Sequence, residues 1–389
     1  MRWLTSRFET PAEAAQRTRT IATIDEWWRS FRAAIPRLNE LFSPRNAQNG
    51  MDLPHWMAQH LGAIDDRLMW EFGPALKEGR HRLVITPESA RHLRPLCDEI
   101  LRRAPACEFE FYGERPPESI AEGLSMARSR TECEILVTGI ECRPGKGNRV
   151  DLNVTANASA SSHDLDRAWS QAIIICSTWL GEAVTDRWLG YIDVSASSTC
   201  GPALETLHAQ FESAVNQCLR ARHPRPYLEV AASSQWSIVE LKPNPGQEIT
   251  RRSDLFVYRT MDLGVADTLF RRLPFYSDRF SSHGERFCYL MLDGKGASME
   301  GFEDKSQIED ALDAALTQQG LGAVMGSGTG LRYSYIDLAL SNLDNASDTI
   351  IQVLRQGGIV TNAWLLFHDD EWHDEWIGIH DDTPAPPPA

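Results

Sequence analysis

The sequence predicts an α+β protein: two β-α-β-β-α-β runs in succession, each led by an extra strand and helix, behind an N-terminal helical extension. Three observations predict it. Short β-prone runs alternate with longer segments whose apolar residues recur every three to four positions. The order of elements from Phe109 to Val194 is repeated from Arg286 to Asp369. The strand "RVDLNV" (Arg149–Val154) also overlays "YIDLAL" (Tyr335–Leu340), a step of 186 residues that sets Asp151 over Asp337.

Residues 1–48 read as helix, with Ile21, Ile24, Trp28, Phe31 and Ile35 along one face and Pro36 expected to break or kink it. This segment carries eight arginines against five acidic residues. A basic amphipathic helix suits a membrane or an acidic partner, but docking on the chain's own acidic body is the simpler expectation.

Residues 49–195 form the first expected α/β module. A short helix, "LPHWMAQHLGAI", leads to strands "LMWEF" and "HRLVIT" and then to a helix opened by Pro87 and Glu88. The strand "CEFEFYG", the helix "PPESIAEGLSMARS", two strands joined by the turn "RPGKGN", a long helix and the strand "RWLGYIDVS" complete it. That order is the ferredoxin-like split unit. Residues 196–250 connect by a helix and a proline-marked strand segment. Residues 251–370 repeat the module: "DLFVYRT" and its helix, then "RFCYLMLD", a helix, "LGAVM", "LRYSYIDLAL", a helix and "NAWLLFHD". Residues 371–389 read as an acidic, proline-rich, solvated tail.

The chain has 389 residues and a net charge of −15, which argues against a general nucleic-acid binder and suits a basic partner protein. Its longest apolar run, "AIIIC", is too short to span a bilayer, and eight singly spaced cysteines imply reduced thiols. A cytoplasmic protein with no membrane contact is the expectation.

The stretch "MGSGTGLRYSYIDLAL" is the most motif-like. A dinucleotide loop needs a helix after G-x-G-x-x-G, and a nucleophile elbow needs G-x-S-x-G on a strand-to-helix turn. Here a strand follows. The glycines are therefore expected in the turn between two strands, where they supply positive φ. If the stretch binds anything, Gly326, Ser327, Gly328 and Thr329 would offer backbone amides, and Tyr333, Tyr335 and Asp337 one face of a strand. "GIECRPGKGN" fails the phosphate-loop template, since Gly147 stands where a magnesium-binding hydroxyl belongs.

His368, Asp370 and His373 lie in an acidic run whose imidazoles and carboxylates are chemically competent for a divalent metal. The spacing matches no helical H-x-x-x-H, and a solvated acidic segment is the stronger expectation; no cofactor is predicted.

The blocks "LMWEFGPAL…HRLVITPESARHLRPLCDEILRRAP" and "GLGAVMGSGTGLRYSYIDLALSNLDNASDTIIQVLRQ" resemble an uncharacterised bacterial protein family, over most of residues 52–370. The resemblance implies a bacterial, non-secreted protein and transfers no catalytic or binding residue. The sequence thus favours a non-enzymatic interaction protein of immunity or regulatory type. The alternatives are a metal-binding or hydrolytic protein using the C-terminal cluster, and a small-ligand binder with a cleft between the modules.

Overall fold

Thr10 and Glu13 bond each other's backbone amides in a capping box and start the first helix, α1 (Pro11–Leu41). It is the entry to a computed structural model that describes residues 1–43, 51–157, 161–199, 201–243, 249–294, 302, 304–359 and 362–388. The boundary expected at 48/49 lies outside the described residues. The fold is mixed α+β and divides into two units, Met1–Pro117 with Leu180–Ala183, and Glu118–Trp179 with Val184–Ala389. Among the described residues no helix is long and apolar enough to cross a membrane.

In the first unit α1 continues through Pro36, where a break or kink was expected. Ala34 and Leu38, on either side of the proline, are buried on the same stripe as Phe31 and Trp28. Packing of that stripe holds the turn despite the missing N–H. The helix α2 (Leu53–His60), the strands β1 (Met69–Pro74) and β2 (His81–Thr86), the helix α3 (Arg94–Arg102) and the strand β3 (Phe109–Tyr112) complete this unit. β1 pairs antiparallel with β2, and β2 pairs parallel with β3.

The pairing of β3 corrects the first expected module. The strand sits in the β1-β2-β3 sheet and is not part of the sheet formed by the strands that follow it. The reason lies in its aromatic residues. Phe111 meets Trp28 at 4.8 Å and Phe109 meets Phe31 at 5.3 Å, both edge-on. The N-terminal helix is thus core to this unit rather than an extension of it.

The second unit begins with α4 (Ile120–Thr131), β4 (Val137–Gly145), β5 (Arg149–Asn157), α5 (Ser162–Trp188) and β6 (Leu189–Ser197). α5 is broken at Gly181, whose φ of 73° no helix accommodates. β5 is central, antiparallel to β4 and parallel to β6. Next come α6 (Leu207–Arg220), α7 (Tyr227–Val230), β7 (Ser237–Glu240), β8 (Leu255–Thr260) and α8 (Leu263–Phe270). The chain then runs through β9 (Arg286–Asp293), α9 (Lys305–Gln318), β10 (Gly322–Gly330), β11 (Tyr333–Leu340), α10 (Leu343–Gln356), β12 (Ala363–Phe367) and β13 (Trp376–Gly378). The last seven strands make one sheet, ordered β13-β12-β9-β11-β10-β8-β7, with antiparallel neighbours throughout.

Two further expectations are corrected here. Gly326, Gly328 and Gly330 lie within β10, and the turn to β11 is only Leu331 and Arg332. Positive φ is not their purpose, since none of the three adopts it. The acidic tail is not wholly solvated: Trp376, Ile377 and Ile379 are buried. The Trp364 indole donates to Pro384 O at 2.7 Å, and the Arg251 amide to Pro388 O at 3.0 Å. Alternate apolar residues, Ile377 and Ile379, give that segment a face to bury, and Trp376 adds to it.

Candidate functional site

The two aspartates that the sequence aligns end in different surroundings. Asp337 lies on β11 opposite Tyr289 of β9 and Gly326 of β10. Arg252 Nη1 donates to its Oδ1 at 2.7 Å and Nη2 to its Oδ2 at 3.3 Å. His368 Nε2 lies 2.9 Å from Oδ1 and, facing an ionised carboxylate, donates to it. Asp337 is 1% exposed and the Arg252 side chain 14%. Three tyrosine rings surround the guanidinium at 5.1–5.5 Å: Tyr258, Tyr289 and Tyr335. Burial alone raises the Asp337 carboxyl, but the Arg252 charge and the bonds from His368 and Arg252 outweigh it and hold it well below the usual carboxylate range. Burial pushes His368 below its ordinary value, against the pull of Asp337.

A second buried carboxylate extends this network. Asp254 accepts the Arg332 and Tyr333 amides at 2.9 Å each and the Tyr335 hydroxyl at 2.7 Å, while that hydroxyl accepts the Arg252 amide at 3.1 Å. The glycines of β10 make room for it. A Cβ on Gly330 would strike the Asp254 carboxylate, one on Gly328 the Leu255 side chain, and one on Gly326 the Tyr258 hydroxyl at 2.8 Å. Arg252 itself holds a left-handed backbone, φ 63°, which costs a non-glycine residue energy that the carboxylate pairing offsets.

The expected binding face, Tyr333, Tyr335 and Asp337, is therefore internal. Ser327 is also buried and accepts Arg259 Nε at 3.2 Å; Lys305 Nζ donates to Gly328 O at 3.0 Å and to Thr329 Oγ1 at 3.1 Å. His368, Asp370 and His373 are not brought together. His368 faces Asp337, Asp370 accepts the Phe275 amide at 3.1 Å, and His373 is exposed. Among the described residues no group of three or more His, Cys, Asp or Glu side chains is placed to hold a metal ion.

Asp151, in contrast, borders open space. Opposite it β6 contains an irregularity: Val150 pairs with Leu189 and Leu152 with Ile192, so Gly190 and Tyr191 both face one residue of β5. The amide left without a ladder partner, that of Tyr191, donates to Asp151 Oδ1 at 2.7 Å. Gly145 and Gly190 flank the carboxylate so closely that a Cβ on either would overlap it. The bulge turns the Tyr191 side chain outward, and the residue is 70% exposed.

The β4–β5 turn closes one side of this space. Gly147 and Asn148 both have positive φ, 67° and 52°. Asn148 Nδ2 donates to Arg279 O at 2.8 Å, and Gly147 sits against Thr268 and Leu273. The result is a recess of ≈ 620 Å³ lined by Lys146, Arg149, Asp151, Gly190, Tyr191, Arg271 and Leu273. Arg271 Nε bridges the Asp267 carboxylate at 2.7 and 2.8 Å. Lys146 has no ion-pair partner among the described residues.

Arg279, whose carbonyl oxygen the turn's Asn148 bonds, is fully buried and is not part of the recess lining. It donates to the carbonyl oxygens of Arg187 and Pro274, its Nε has no hydrogen-bond partner, and no described carboxylate is within ion-pair distance. Burial, and next the like charge of Arg149, push its guanidinium down to about 10. The charges of Asp278 and Asp370 pull the other way.

Asp151, Lys146 and the "RPGKGN" turn were legible in the sequence; Arg252, Asp254, Arg271, Arg279 and Tyr191 were not singled out. The one signal was the hairpin turn, for which a structural role was the stronger expectation and a loop whose backbone amides hold an anion the weaker one. The chain matches no protein-family model, no curated protein and no solved structure.

Proposed function

We propose that the protein binds a small anionic molecule in the recess beside Asp151. One observation carries this reading: Lys146, which has no ion-pair partner among the described residues, lines an open recess together with Arg149 and Arg271. The volume suits a small-molecule ligand. It is also the cleft-binding alternative among the sequence expectations, since β5 and β6 belong to the first expected module and α8 to the second. The strand order β12-β9-β11-β10 supports reading the latter as a ferredoxin-like unit. The test is calorimetric titration and thermal shift of the full chain with inorganic phosphate and citrate. Binding that weakens about tenfold in Lys146→Ala is expected, as for loss of one charged hydrogen bond. Affinity unchanged by that substitution would refute the site.

A second reading, the non-enzymatic interaction protein, draws support from β7. This strand ends the seven-stranded sheet and shows Ile238, 73% exposed, beside the half-exposed Trp236. An extended segment of a partner protein would add to it as a further strand. Cross-linking from Ser237 in host lysate tests it: a discrete adduct lost in Ile238→Lys supports the reading, and an unchanged adduct removes it.

A further inference from the structure

We infer that the surface around Trp364 and Arg251 is a docking site for a proline-rich segment of a partner protein, and that residues 384–388 of this chain are its resident occupant. The stretch "TPAPPPA" dictates its own backbone. Pro384, Pro386, Pro387 and Pro388 each lock φ at about −65°, and every residue that precedes one of them is pushed to extended backbone. Such a segment favours the polyproline II helix, which turns once in about three residues and makes no internal hydrogen bonds. Pro384 and Pro387 therefore share one face, with their carbonyl oxygens left for a partner.

The surface meets that face turn by turn. The Trp364 indole donates to Pro384 O at 2.7 Å, and Arg251 Nε donates to Pro387 O at 2.9 Å. The Arg251 amide adds a bond to Pro388 O at 3.0 Å, and Arg251 Nη1 is steadied by His373 O at 2.9 Å. Trp364 shares its apolar cluster with Trp376 and with Tyr333, whose ring lies edge-on at 6.4 Å. An aromatic surface with a donor for each turn suits a polyproline ligand, whose fixed backbone loses little entropy on docking.

The occupant is built to exchange. Pro384, Ala385 and Pro388 are exposed, and residues 384–388 belong to none of the described strands. The turn before them is closed separately: the His380 amide donates to Thr383 Oγ1 at 2.9 Å and the Thr383 amide to His380 O at 3.1 Å. Thr383 is also buried against Gly378, so the segment can lift beyond it while the sheet stays paired. The donors it leaves address backbone oxygens, which any proline-rich chain carries. Charge decides between two sources of such a chain. Asp381 and Asp382 stay exposed at the Thr383 end of the site, and a second copy would bring the same two carboxylates against them. A partner with basic residues there is attracted instead.

The experiment loosens the resident segment on the full chain with Pro386→Gly and Pro387→Gly together, and follows a fluorescent peptide, KKTPAPPPA, by anisotropy. The loosened variant should bind it about tenfold tighter than the unaltered chain, because an occupied site lowers apparent affinity by the fraction that is open. Adding Arg251→Ala should cost about tenfold, the loss of a bond from a charged donor. DDTPAPPPA, which stands for a second copy's segment, should bind more weakly than KKTPAPPPA. Equal affinity of variant and unaltered chain, or binding untouched by Arg251→Ala, would overturn the site. DDTPAPPPA binding as tightly or more tightly would assign the site to a second copy and overturn the partner. Should the glycine variant fail to fold, the unaltered chain decides. Millimolar KKTPAPPPA matches the effective concentration of a short tether and should move the Ala385 amide NMR signal to its free-chain position. A signal that stays in place refutes exchange.

Discussion

Asp337 and Asp151 each sit in the second strand of a hairpin, β10–β11 and β4–β5; Gly326 lies against the first carboxylate, Gly145 and Gly190 against the second. Around Asp337 the neighbours close in: an arginine, a histidine and three tyrosines, with each charge answered by another side chain. Around Asp151 they fall back: the carboxylate accepts one backbone amide, and the nearby cations face open space. The difference is set by the adjoining strand. β11 is flanked by the long antiparallel β9, whose Tyr289 stacks on His368 at 4.8 Å, whereas β5 is flanked by a bulged parallel strand. A buried charge matched by its counter-charge holds a fold together, while a charge at the edge of open space, as on Lys146, is free to act on something else.

Removing Asp337 breaks the comparison most directly. Asp337→Ala leaves Arg252 buried and without its carboxylate, and the expected loss is about 3–5 kcal/mol of stability. Asp151→Ala removes one acceptor for one amide, and the expected loss is about 1 kcal/mol. Urea midpoints of the two variants measure the contrast; equal losses would mean that Asp151 too is a structural clamp. The glycines give a second, smaller contrast. Gly330→Ala drives a methyl into the Asp254 carboxylate and should cost roughly 1–3 kcal/mol through overpacking. Gly147→Ala meets its left-handed φ of 67° and a close Thr268 side chain that must give by a few tenths of an ångström, and should cost about 1–2 kcal/mol.

Acid sharpens the contrast further, because both His368 and Asp337 of the closed cluster are shifted from their ordinary values. His368 is held below its ordinary value, near 6.5, so the unfolded chain takes up the proton first. The stability linked to it is complete above about pH 6.5 and falls as the pH drops from there toward the folded-state value. Asp337 is likewise depressed, so its contribution is complete above about pH 3.9 and is lost only below that. Urea midpoints at pH 7.5, 5.5 and 3.5 should therefore fall in two stages. His368→Gln, which keeps a donor to Asp337, should abolish the first stage alone; a first stage that survives assigns it to another group.

What the sequence made legible follows the same division. Local periodicity and caps are properties of neighbours in the chain, so α1, α9, α10 and the strands around Asp337 were all foreseeable from spacing alone. Strand pairing is not local: the parallel match of His81 with Phe109 depends on which helix the phenylalanines reach, and that helix lies about 80 residues earlier by chain position. The same limit hid both sites. Arg252 and Asp337 are 85 residues apart in sequence, and Asn148 and Arg279 are 131 apart. Nothing in "TRRSDL" marks Arg252 as the partner of an aspartate on a distant strand. The glycines of "MGSGTG" carried a real signal, but of close approach by Asp254 and Tyr258 rather than of a turn or a phosphate loop.

The smallest expected effect is the most discriminating. Asp151→Asn keeps an oxygen for the Tyr191 amide, so the bulge and the stability should survive within about 0.5 kcal/mol. It removes one of the two carboxylates that offset the recess cations, and at a few ångströms near water a unit charge is worth about 1 kcal/mol. Affinity for inorganic phosphate should therefore rise, roughly fivefold. The opposite result, phosphate binding lost with the fold intact, would mean that Asp151 engages the ligand itself rather than opposing its charge. That outcome would move the two aspartates further apart still, one holding a sheet closed and the other holding a ligand.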